Sequence, residues 1–513
     1  MKRFAKRLVR ITTNNSKIAF SYISFQQTKE SRLSLARFFC FAIILVMERI
    51  YIKDLKEKIG GEVRIAGWVD VRRDHGKLIF IDLRDATGKV QMVALPNHKE
   101  AHELAQKVRP EWVIEVIGKV NNRPEKLVNK NEPNGEIEIE VLELKVLNEA
   151  ETPLIDVSGD GREINEETRL KYRYLDLRRL RLQQNIRNRF KVTQFIRNEL
   201  QKEGFTEIET PNLSATTPEG SRDYIVPSRL DKGKFYSLPQ SPQQYKQLLM
   251  VAGFEKYFQF ARCFRDEDTR GDRQPEFTQM DLEMSFVTRE QVMALNEQLL
   301  IDLVKNIYPE KKIQDIPFPR LSFAEAMKKY KSDKPDLRED KSDPNLLAFC
   351  WVIDFPFFEK DKETDNWTFT HNPFSSPKLE HVDRLLKKEK ISEILTTQYD
   401  ITLNGFEIGG GSIRNHRPAA LKAVFQIMGY SDERIEKNFG HMLKALASGA
   451  PPHGGIAWGF DRMMMLFQNE PNIREVIAFA KTGEGRDPMM GAPSEVLPQQ
   501  LKELGIELKK SKN

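Results

Sequence analysis

The stretch "RCFRDEDTRGDRQPEFTQMDLEMSF", residues 262–286, decides the fold. In "TQMDLEMSF" apolar side chains alternate with Gln, Asp, Glu and Ser, and the preceding "YFQFARCFRDE" alternates in the same way. The two segments are joined by a charged loop without an aliphatic side chain. This pattern predicts a β-hairpin with one apolar face and one polar face. Arg265, whose planar guanidinium suits a phosphate, makes the polar face a candidate anion site.

The rest of the C-terminal part predicts an α+β fold. Residues 186–205, "IRNRFKVTQFIRNELQKEGF", have the spacing of a long amphipathic helix, and "TEIETPNL" follows. Strands and helices then succeed each other without a repeating βαβ order. A mostly antiparallel sheet flanked by helices is therefore expected, and not a doubly wound parallel one.

Residues 62–147 contain five strand-like segments, with one helical segment between the third and the fourth. This order matches the OB-fold, a small barrel that binds single-stranded nucleic acid. A barrel with a purely structural role has the same pattern.

Composition gives little evidence for a nucleic-acid partner. The net charge of +6 is concentrated in residues 1–46, which hold nine Lys or Arg and one acid, so the remainder sums to −2. The three cysteines form no CxxC pair, which argues against a disulfide framework or a zinc site. A reducing, cytoplasmic location without membrane insertion is expected.

The first 46 residues are read as a basic extension. Their Arg/Lys-rich composition is that of a transit peptide, and the alternative is an upstream start codon with Met47 as the natural beginning. The apolar run "FFCFAIILV" is too short to span a bilayer, which needs ~20 residues. These residues are therefore expected to be disordered or to follow from a wrongly assigned start codon.

Three sequence segments together resemble the signature motifs of class II aminoacyl-tRNA synthetases. The helix and strand ending at Pro211 resemble the first motif, "FRDE" the second, and "GGIAWGFDRMMMLF" the third. Within this class, "TPEGSRDYIVPSR" and "LPQSPQQYKQLLM" resemble the bacterial aspartate-specific members. The resemblance implies an anticodon-binding OB domain at 47–150, a connector at 151–185 and a catalytic domain at 186–513. It also implies a homodimer that uses ATP and Mg²⁺ to attach L-aspartate to tRNA.

The resemblance assigns the nucleotide site. Arg265 and Arg462 are the expected catalytic residues, which hold the phosphates and stabilise their charge. Phe277 is expected to stack on adenine. Asp400 and Glu407, in "QYDITLNGFEIGGGSIR", are the expected Mg²⁺ ligands, since hard oxygens suit a metal shared with phosphates. The expected ATP ligands are Arg265, Asp266, Glu267, Gln274, Phe277, Glu407, Gly459, Phe460, Asp461 and Arg462.

The resemblance also assigns the amino-acid pocket. Lys246 and Arg414 are expected to bind the side-chain carboxylate of aspartate, and two cations would reject a lysine substrate. Gln243, three residues before Lys246 on a helix, shares its face. The expected aspartate-binding residues are Glu219, Gln243, Lys246, Asp281, His371 and Arg414.

Two features depart from the bacterial pattern. The family has paired histidines before "PF", whereas this chain reads "THNPF", with His371 kept and Asn372 second. The bacterial enzymes carry an extra domain between the second and third motifs, and residues 332–356 leave no room for it. The expectation is a compact form of the enzyme.

The barrel carries the expected tRNA contacts. An aromatic ring and cations at one face suit splayed anticodon bases. Phe80 is expected to stack on a base and Gln91 to read the central uridine. A histidine at position 75, in the loop of the first hairpin, resembles the bacterial enzymes of relaxed tRNA specificity, which charge both tRNA(Asp) and tRNA(Asn). The alternative is a turn histidine without a role in tRNA binding. The expected tRNA-binding residues are Arg72, Arg73, His75, Phe80, Gln91 and Glu138.

Two other functions remain as alternatives. An asparagine-synthetase-like ligase would activate aspartate without RNA, but such relatives lack the OB domain. An inactive synthetase-like RNA-binding protein would be expected to have lost Arg265, Glu407 or Arg462, and all three are present.

Overall fold

A computed structural model describes residues 47–216, 219–361 and 364–509. The predicted N-terminal extension, residues 1–46, lies outside the described residues. The described chain divides after Pro153 into two compact units.

The first unit is a closed five-stranded barrel with strand order β1-β2-β3-β5-β4. The alternating pattern decides which side chains face inward: Ile79, Ile81 and Leu83 of the second strand are fully buried. The third and fifth strands are parallel, and the other neighbours are antiparallel. The OB-fold prediction is confirmed, with the helix between the third and fourth strands. The elements are β1 (Glu62–His75), β2 (Leu78–Arg84), β3 (Lys89–Ala94), α1 (Lys99–Ala105), β4 (Val113–Asn122) and β5 (Ile137–Asn148).

The strands of the second unit form one sheet of eight and three sheets of two. In chain order they are β6 (Thr206–Glu207), β7 (Ile225–Pro227), β8 (Phe235–Ser237), β9 (Lys256–Phe264), β10 (Glu276–Ser285), β11 (Lys312–Ile313), β12 (Arg320–Ser322), β13 (Leu346–Leu347), β14 (Phe349–Ile353), β15 (Phe358–Lys360), β16 (Trp367–Phe369), β17 (Tyr399–Leu403), β18 (Phe406–Ile413) and β19 (His453–Gly459).

The large sheet has the order β12-β14-β17-β18-β19-β10-β9-β6. Its five central pairings are antiparallel, and only the two edge pairings are parallel. This confirms the α+β prediction.

Helices cover one face of this sheet and complete its core. The helices are α2 (Glu166–Lys171), α3 (Arg173–Asp176), α4 (Leu180–Lys202), α5 (Gln243–Val251), α6 (Arg289–Ile307), α7 (Phe323–Tyr330), α8 (Val382–Lys387), α9 (Pro418–Ile427), α10 (Asp432–Ala447), α11 (Phe460–Phe467) and α12 (Pro498–Leu504). Apolar side chains of α4, α6 and α11 pack with the buried side of β10 in one cluster. Among the described residues, no helix has the length and apolar character that crossing a membrane requires.

The long helix α4 begins six residues before its predicted start. Residues 180–185 carry little apolar periodicity, but Arg181 and Asn185 both bind the buried carboxylate of Glu470, at 2.6 and 2.7 Å. These contacts between distant parts of the chain stabilise the extra turns.

Candidate active site

The charged loop and its hairpin form the floor of a cavity. Strands β9 and β10 pair from Glu276↔Phe264 to Met284↔Lys256, as the alternation predicts. Met280 and Leu282 point into the apolar core and are fully buried. The opposite face of β10 carries Gln279, Asp281 and Glu283. Because β10 lies between β9 and β19 near the middle of the sheet, these polar groups are buried as well.

The cavity has a volume of about 380 Å³ and brings together most of the predicted site residues. It is lined by all six predicted aspartate-binding residues and by eight of the ten predicted ATP ligands. Those residues are Glu219, Gln243, Lys246, Asp281, His371 and Arg414, together with Arg265, Glu267, Gln274, Phe277, Glu407, Gly459, Asp461 and Arg462.

One end of the cavity holds two buried cations. Lys246, on α5, donates to Asp281 at 2.8 Å, and Arg414 donates to Glu283 at 2.8 and 3.0 Å. Each cation is 1 % exposed. Burial raises the pKa of Asp281 to about 6, and the charge of Lys246 opposes this shift. Buried cations held in place by carboxylates suit a small anionic side chain.

Sequence reasoning did not assign Glu283, yet it connects the two cations. Besides its two bonds to Arg414, its carboxylate lies 3.4 Å from the Lys246 ammonium. The signal was present in the sequence, because Glu283 has the same strand parity as Asp281. Its partners, however, come from α5 and from the residue after β18, and only the folded sheet identifies them.

The other end of the cavity holds two arginines suited to an extended anion. The Arg265 guanidinium lies 5.1 Å from the Phe277 ring centroid. Arg462 donates to the Glu407 carbonyl oxygen at 2.5 Å and pairs with Asp272 at 3.0 Å. The Nε atoms of both arginines are buried without a hydrogen-bond partner among the described residues. Buried donors of this kind are satisfied by a ligand with oxygen acceptors.

Contacts with the loop itself and with two other segments hold two further predicted ATP ligands. Glu267 accepts a hydrogen bond from Ser221 and lies 3.5 Å from Arg273. Gln274 accepts a hydrogen bond from the Lys481 backbone N–H at 2.8 Å. Both side chains therefore have fixed orientations at the cavity wall.

Two predicted ATP ligands lie elsewhere. Phe460 is 1 % exposed and packs edge-on against Phe260 in the apolar core, because the first residue of α11 points towards the sheet. Asp266 lines an adjoining open cavity with Arg222 and Arg270. These positions argue against direct contact of either side chain with a nucleotide in the main cavity.

The two predicted metal ligands interact electrostatically, and both also act on His371. Glu407 lines the cavity and pairs with Lys334 at 3.3 Å. Asp400 does not line it: one of its oxygens meets His371 at 2.8 Å, and the other accepts from Gln398 at 2.7 Å. Asp400 also raises the pKa of His371 to about 9, although burial opposes this. Both neighbours line the cavity, so the Asp400 carboxylate lies directly behind its wall, and its role as a metal ligand stays a prediction.

No cluster of three or more His, Cys, Asp or Glu side chains among the described residues could hold a metal ion. The two predicted carboxylates, of which Glu407 lines the cavity, therefore fit a metal that takes most of its ligands from phosphate and water.

The "GGGS" run permits a close approach of neighbouring strands beneath this end. A Cβ on Gly411 would lie 2.2 Å from the Gly455 carbonyl oxygen and 2.7 Å from the Tyr399 ring. A Cβ on Gly410 would lie 2.8 Å from Asp400. Glycine is required here by the space between β17, β18 and β19.

Several of the predicted tRNA-binding residues lie on neighbouring strands of the barrel. Arg73 forms two hydrogen bonds of 2.9 Å to Asp82 and lies 3.4 Å from Gln91. The exposed His75 ring contacts the Phe80 ring edge-on at 5.6 Å. Cross-strand neighbours on β1, β2 and β3 thus form a surface of cations, an amide and aromatic rings.

The remaining predicted residues lie around this surface. The Arg72 side chain donates to the Ala105 carbonyl at 3.1 Å and is half-buried. Glu138, on β5, is half-buried opposite Asn121.

The two features that depart from the bacterial pattern, Asn372 and the missing extra domain, can be located in the structure. Asn372 lines the cavity beside His371, and its Oδ1 accepts from the Phe374 backbone N–H at 3.0 Å. Residues 332–345, where the extra domain was expected to be missing, form a short connection from α7 to β13.

Comparison with protein families identifies both units. Residues 165–483 match the model of class II tRNA synthetases (D, K and N), and residues 63–147 match that of the OB-fold nucleic acid binding domain.

Two curated relatives cover most of the chain. One is the aspartate–tRNA(Asp/Asn) ligase of Rubrobacter xylanophilus, 41 % identical over 88 % of this chain and 95 % of that protein. Another is the aspartate–tRNA ligase of Macrococcus caseolyticus, 39 % identical over 88 % and 96 %. The first alignment spans 573 positions, more than the 513 residues here, so that relative contains residues without a counterpart in this chain.

Solved structures share the fold at lower identity. The asparaginyl-tRNA synthetase of Pyrococcus horikoshii, complexed with asparaginyl-adenylate, superposes with a TM-score of 0.69 at 23 % identity. It covers 85 % of this chain and 98 % of its own. The aspartyl-tRNA synthetase of Entamoeba histolytica superposes with a TM-score of 0.65 at 22 % identity, over 84 % of this chain and 91 % of its own.

Proposed function

This chain belongs to the class II tRNA synthetases for aspartate, lysine and asparagine, and from that membership we propose that it is an aspartate–tRNA ligase. It activates L-aspartate with ATP and transfers it to tRNA. One observation carries the proposal: two buried cations, Lys246 and Arg414, share a cavity with two arginines, Arg265 and Arg462, that have unsatisfied buried donors. This arrangement suits a small dicarboxylate next to a polyphosphate.

The first step joins aspartate to the nucleotide. An oxygen of the α-carboxylate forms a bond to the α-phosphorus of ATP, the bond from that phosphorus to the bridging oxygen of the β-phosphate breaks, and pyrophosphate leaves with the electron pair. No proton has to move, so positioning and positive charge carry the catalysis. Arg265 holds the α-phosphate, and Arg462 holds the phosphate tail. Both are already fixed before substrate arrives, by Phe277 and Asp272 respectively.

Glu407 would hold the Mg²⁺, whose charge would offset the negative charge on the leaving pyrophosphate. Lys334, which pairs with Glu407, adds a further cation at this end.

Selection of aspartate follows from the charges of the pocket. Lys246 and Arg414 attract the side-chain carboxylate and repel the ammonium of lysine. Asparagine would offer a neutral amide to the same donors, with weaker hydrogen bonds than a carboxylate makes. Asp281 Oδ1, buried without a hydrogen-bond partner among the described residues, is placed to accept from the substrate ammonium.

The second step transfers the aspartyl group to the tRNA. A hydroxyl oxygen at the tRNA 3′ end forms a bond to the carbonyl carbon of the adenylate. The bond from that carbon to the phosphate oxygen breaks, and AMP leaves with the electron pair while its phosphate takes up the hydroxyl proton. We infer that the barrel reads the anticodon through Phe80, Gln91 and Arg73, and that His75 relaxes the choice so that tRNA(Asn) is charged as well as tRNA(Asp). The Rubrobacter xylanophilus relative is named for both tRNAs, and the Macrococcus caseolyticus relative is named without that distinction.

A homodimer is part of the proposal. Helix α4 exposes Leu180 at 65 % and Phe190 at 68 %. Large apolar side chains exposed on one long helix are typical of a protein interface. We also propose that the protein lacks the extra bacterial domain and that it acts in the cytoplasm.

The decisive experiment measures exchange of radiolabelled pyrophosphate into ATP. With Mg²⁺ and aspartate we expect exchange without tRNA, and with lysine or asparagine we expect only background. An intact fold that shows no aspartate-dependent exchange would reject the enzyme function. Charging purified tRNA(Asp) and tRNA(Asn) side by side then tests the range of tRNAs.

The same experiments test the two alternatives, which the family relatives do not favour. An asparagine-synthetase-like ligase would show exchange but charge neither tRNA. An inactive RNA-binding relic would show neither activity.

A further inference from the structure

Three buried side chains form a hydrogen-bonded chain that leads away from the cavity. Gln243 lines the cavity, and its Nε2 donates to Gln247 Oε1 at 3.2 Å. Gln247 Nε2 lies 3.2 Å from His453 Nε2, and His453 Nδ1 lies 2.7 Å from the Pro451 carbonyl oxygen. Gln247 and His453 are fully buried.

The last member of this chain fixes the direction of every bond. A carbonyl oxygen can only accept, so His453 Nδ1 must carry the hydrogen that meets Pro451. In a neutral imidazole the other nitrogen is then an acceptor. Gln247 must therefore turn its NH₂ towards His453 and its oxygen towards Gln243.

This order of donors and acceptors also fixes the orientation of the Gln243 amide at the cavity. Because its NH₂ group is turned towards Gln247, to which it donates one hydrogen, its Oε1 is turned to the opposite side and can accept from a ligand in the cavity. Burial lowers the pKa of His453, with Glu283 opposing, and this keeps the ring neutral. A charged ring would donate from both nitrogens and reverse both amides.

We propose that His453 is a positioning residue: it orients the amide of Gln243 so that a carbonyl oxygen faces the ammonium group of the bound amino acid. This inference rests on the proposed function, in which aspartate binds at this end of the cavity. With the amide reversed, an NH₂ group would face the ammonium and repel it. Asp281 Oδ1, a buried acceptor in the same cavity, points to the same cationic group.

The alternative is that His453 only helps to build the sheet. Its carbonyl oxygen accepts from the Arg414 backbone N–H at 2.8 Å, at the start of β19. That bond belongs to the backbone and is retained in a side-chain variant. Substitutions of the ring therefore separate the two roles.

The test compares His453→Asn with His453→Gln. Asparagine places its amide near the position of ring Nδ1 and leaves no acceptor near Nε2, whereas glutamine extends a carbonyl oxygen towards the Nε2 position. For H453N we expect the KM for aspartate in pyrophosphate exchange to rise about ten-fold or more, the range of a lost hydrogen bond to a charged group, with a smaller change in kcat. H453Q should stay within about three-fold of the wild type on the same scale.

Succinate supplies the matched control, since it has both carboxylates of aspartate and no ammonium. Its inhibition constant should be the same for wild type and H453N. An unchanged KM for aspartate in H453N, or an equal rise in the succinate constant, would overturn the inference.

Two further measurements keep the test decisive. Gln247→Leu breaks the same chain at another residue and should give the same rise in KM without a change for succinate; if H453N does not fold, this variant decides. Wild-type protein without aspartate-dependent exchange would overturn the proposed function and this inference together. If the wild type is active and the variants have the same KM for aspartate as the wild type, the inference alone is overturned.

Discussion

At the scale of single residues, the amino-acid pocket balances its charges internally before substrate arrives. Lys246 and Arg414 share the carboxylate of Glu283, and Lys246 also binds Asp281. Each cation is held in place by an acid and still faces the cavity. A pocket built in this way loses little side-chain entropy on binding, which favours selectivity for one small dicarboxylate.

The raised pKa of Asp281 predicts how substrate binding depends on pH. Burial brings this pKa to about 6, and only the ionised carboxylate attracts the substrate ammonium. We expect the KM for aspartate to rise as the pH falls from 7 to 5, measured by pyrophosphate exchange. Asp281→Asn should have a high KM with little pH dependence over that range. A flat wild-type profile would contradict the assignment.

The same raised pKa also affects folding stability, and this effect changes with pH in the direction opposite to substrate binding. The folded state raises the pKa above the ordinary Asp value, so it favours the protonated carboxyl. The resulting stabilisation is complete below the ordinary Asp pKa and is lost as the pH rises through about 6. The ionised carboxylate that substrate binding needs is therefore held at some expense of stability.

His75 carries the prediction about tRNA choice. Its exposed ring rests against Phe80, where it is available to a base. His75→Leu should depress charging of tRNA(Asn) about five-fold or more relative to tRNA(Asp), since one base contact is worth roughly 1–3 kcal/mol. The measurement is kcat/KM for both purified tRNAs. Equal losses for the two would remove His75 from the discrimination.

At the scale of elements, strand β18 shows how packing restricts sequence. Its glycines allow β17 and β19 to approach so closely that a Cβ at Gly411 would overlap the Gly455 carbonyl. Gly411→Ala should therefore lower the free energy of unfolding by about 1–3 kcal/mol, the range for overpacked cores, as measured by urea denaturation.

The matched control is Gly483→Ala. An added Cβ at Gly483 meets nothing within 4 Å, so its effect should stay within about 0.5 kcal/mol. Similar losses in the two variants would show that the contact with Gly455 does not set the requirement for glycine at residue 411.

One salt bridge and one hydrogen bond join α4 and β10 to α11 through Asp461. Arg189 on α4 donates to Asp461 at 2.5 Å, and the other oxygen of Asp461 accepts from the Thr278 backbone N–H at 2.8 Å. Asp461, predicted as an ATP ligand, thus also joins α4 to β10. The nucleotide end of the cavity is held by the same helix that presents the exposed apolar residues.

At the scale of the whole molecule, that exposed surface predicts the oligomeric state. Phe190 is 68 % exposed on α4. We expect the wild type to sediment as a dimer and Phe190→Asp to shift it to monomer, because a carboxylate would be buried in the interface. Leu379→Asp, at an 80 % exposed residue outside α4, should remain dimeric. A monomeric wild type would refute the dimer.

The sequence by itself determined the order of elements and the chemical character of the site. Strand alternation placed Asp281 on the polar face of β10, and the barrel order followed from five alternating segments, because side-chain period is a local property of the chain. The resemblance of the motifs then supplied candidate ligands.

Only the tertiary structure decided which of those candidates meet. Phe460 has the right neighbours in sequence but packs into the apolar core, whereas Glu283 and the chain from Gln243 to His453 gain their roles from segments distant in sequence. Burial, pairing and hydrogen-bond direction depend on what packs against a residue, and local periodicity does not encode this.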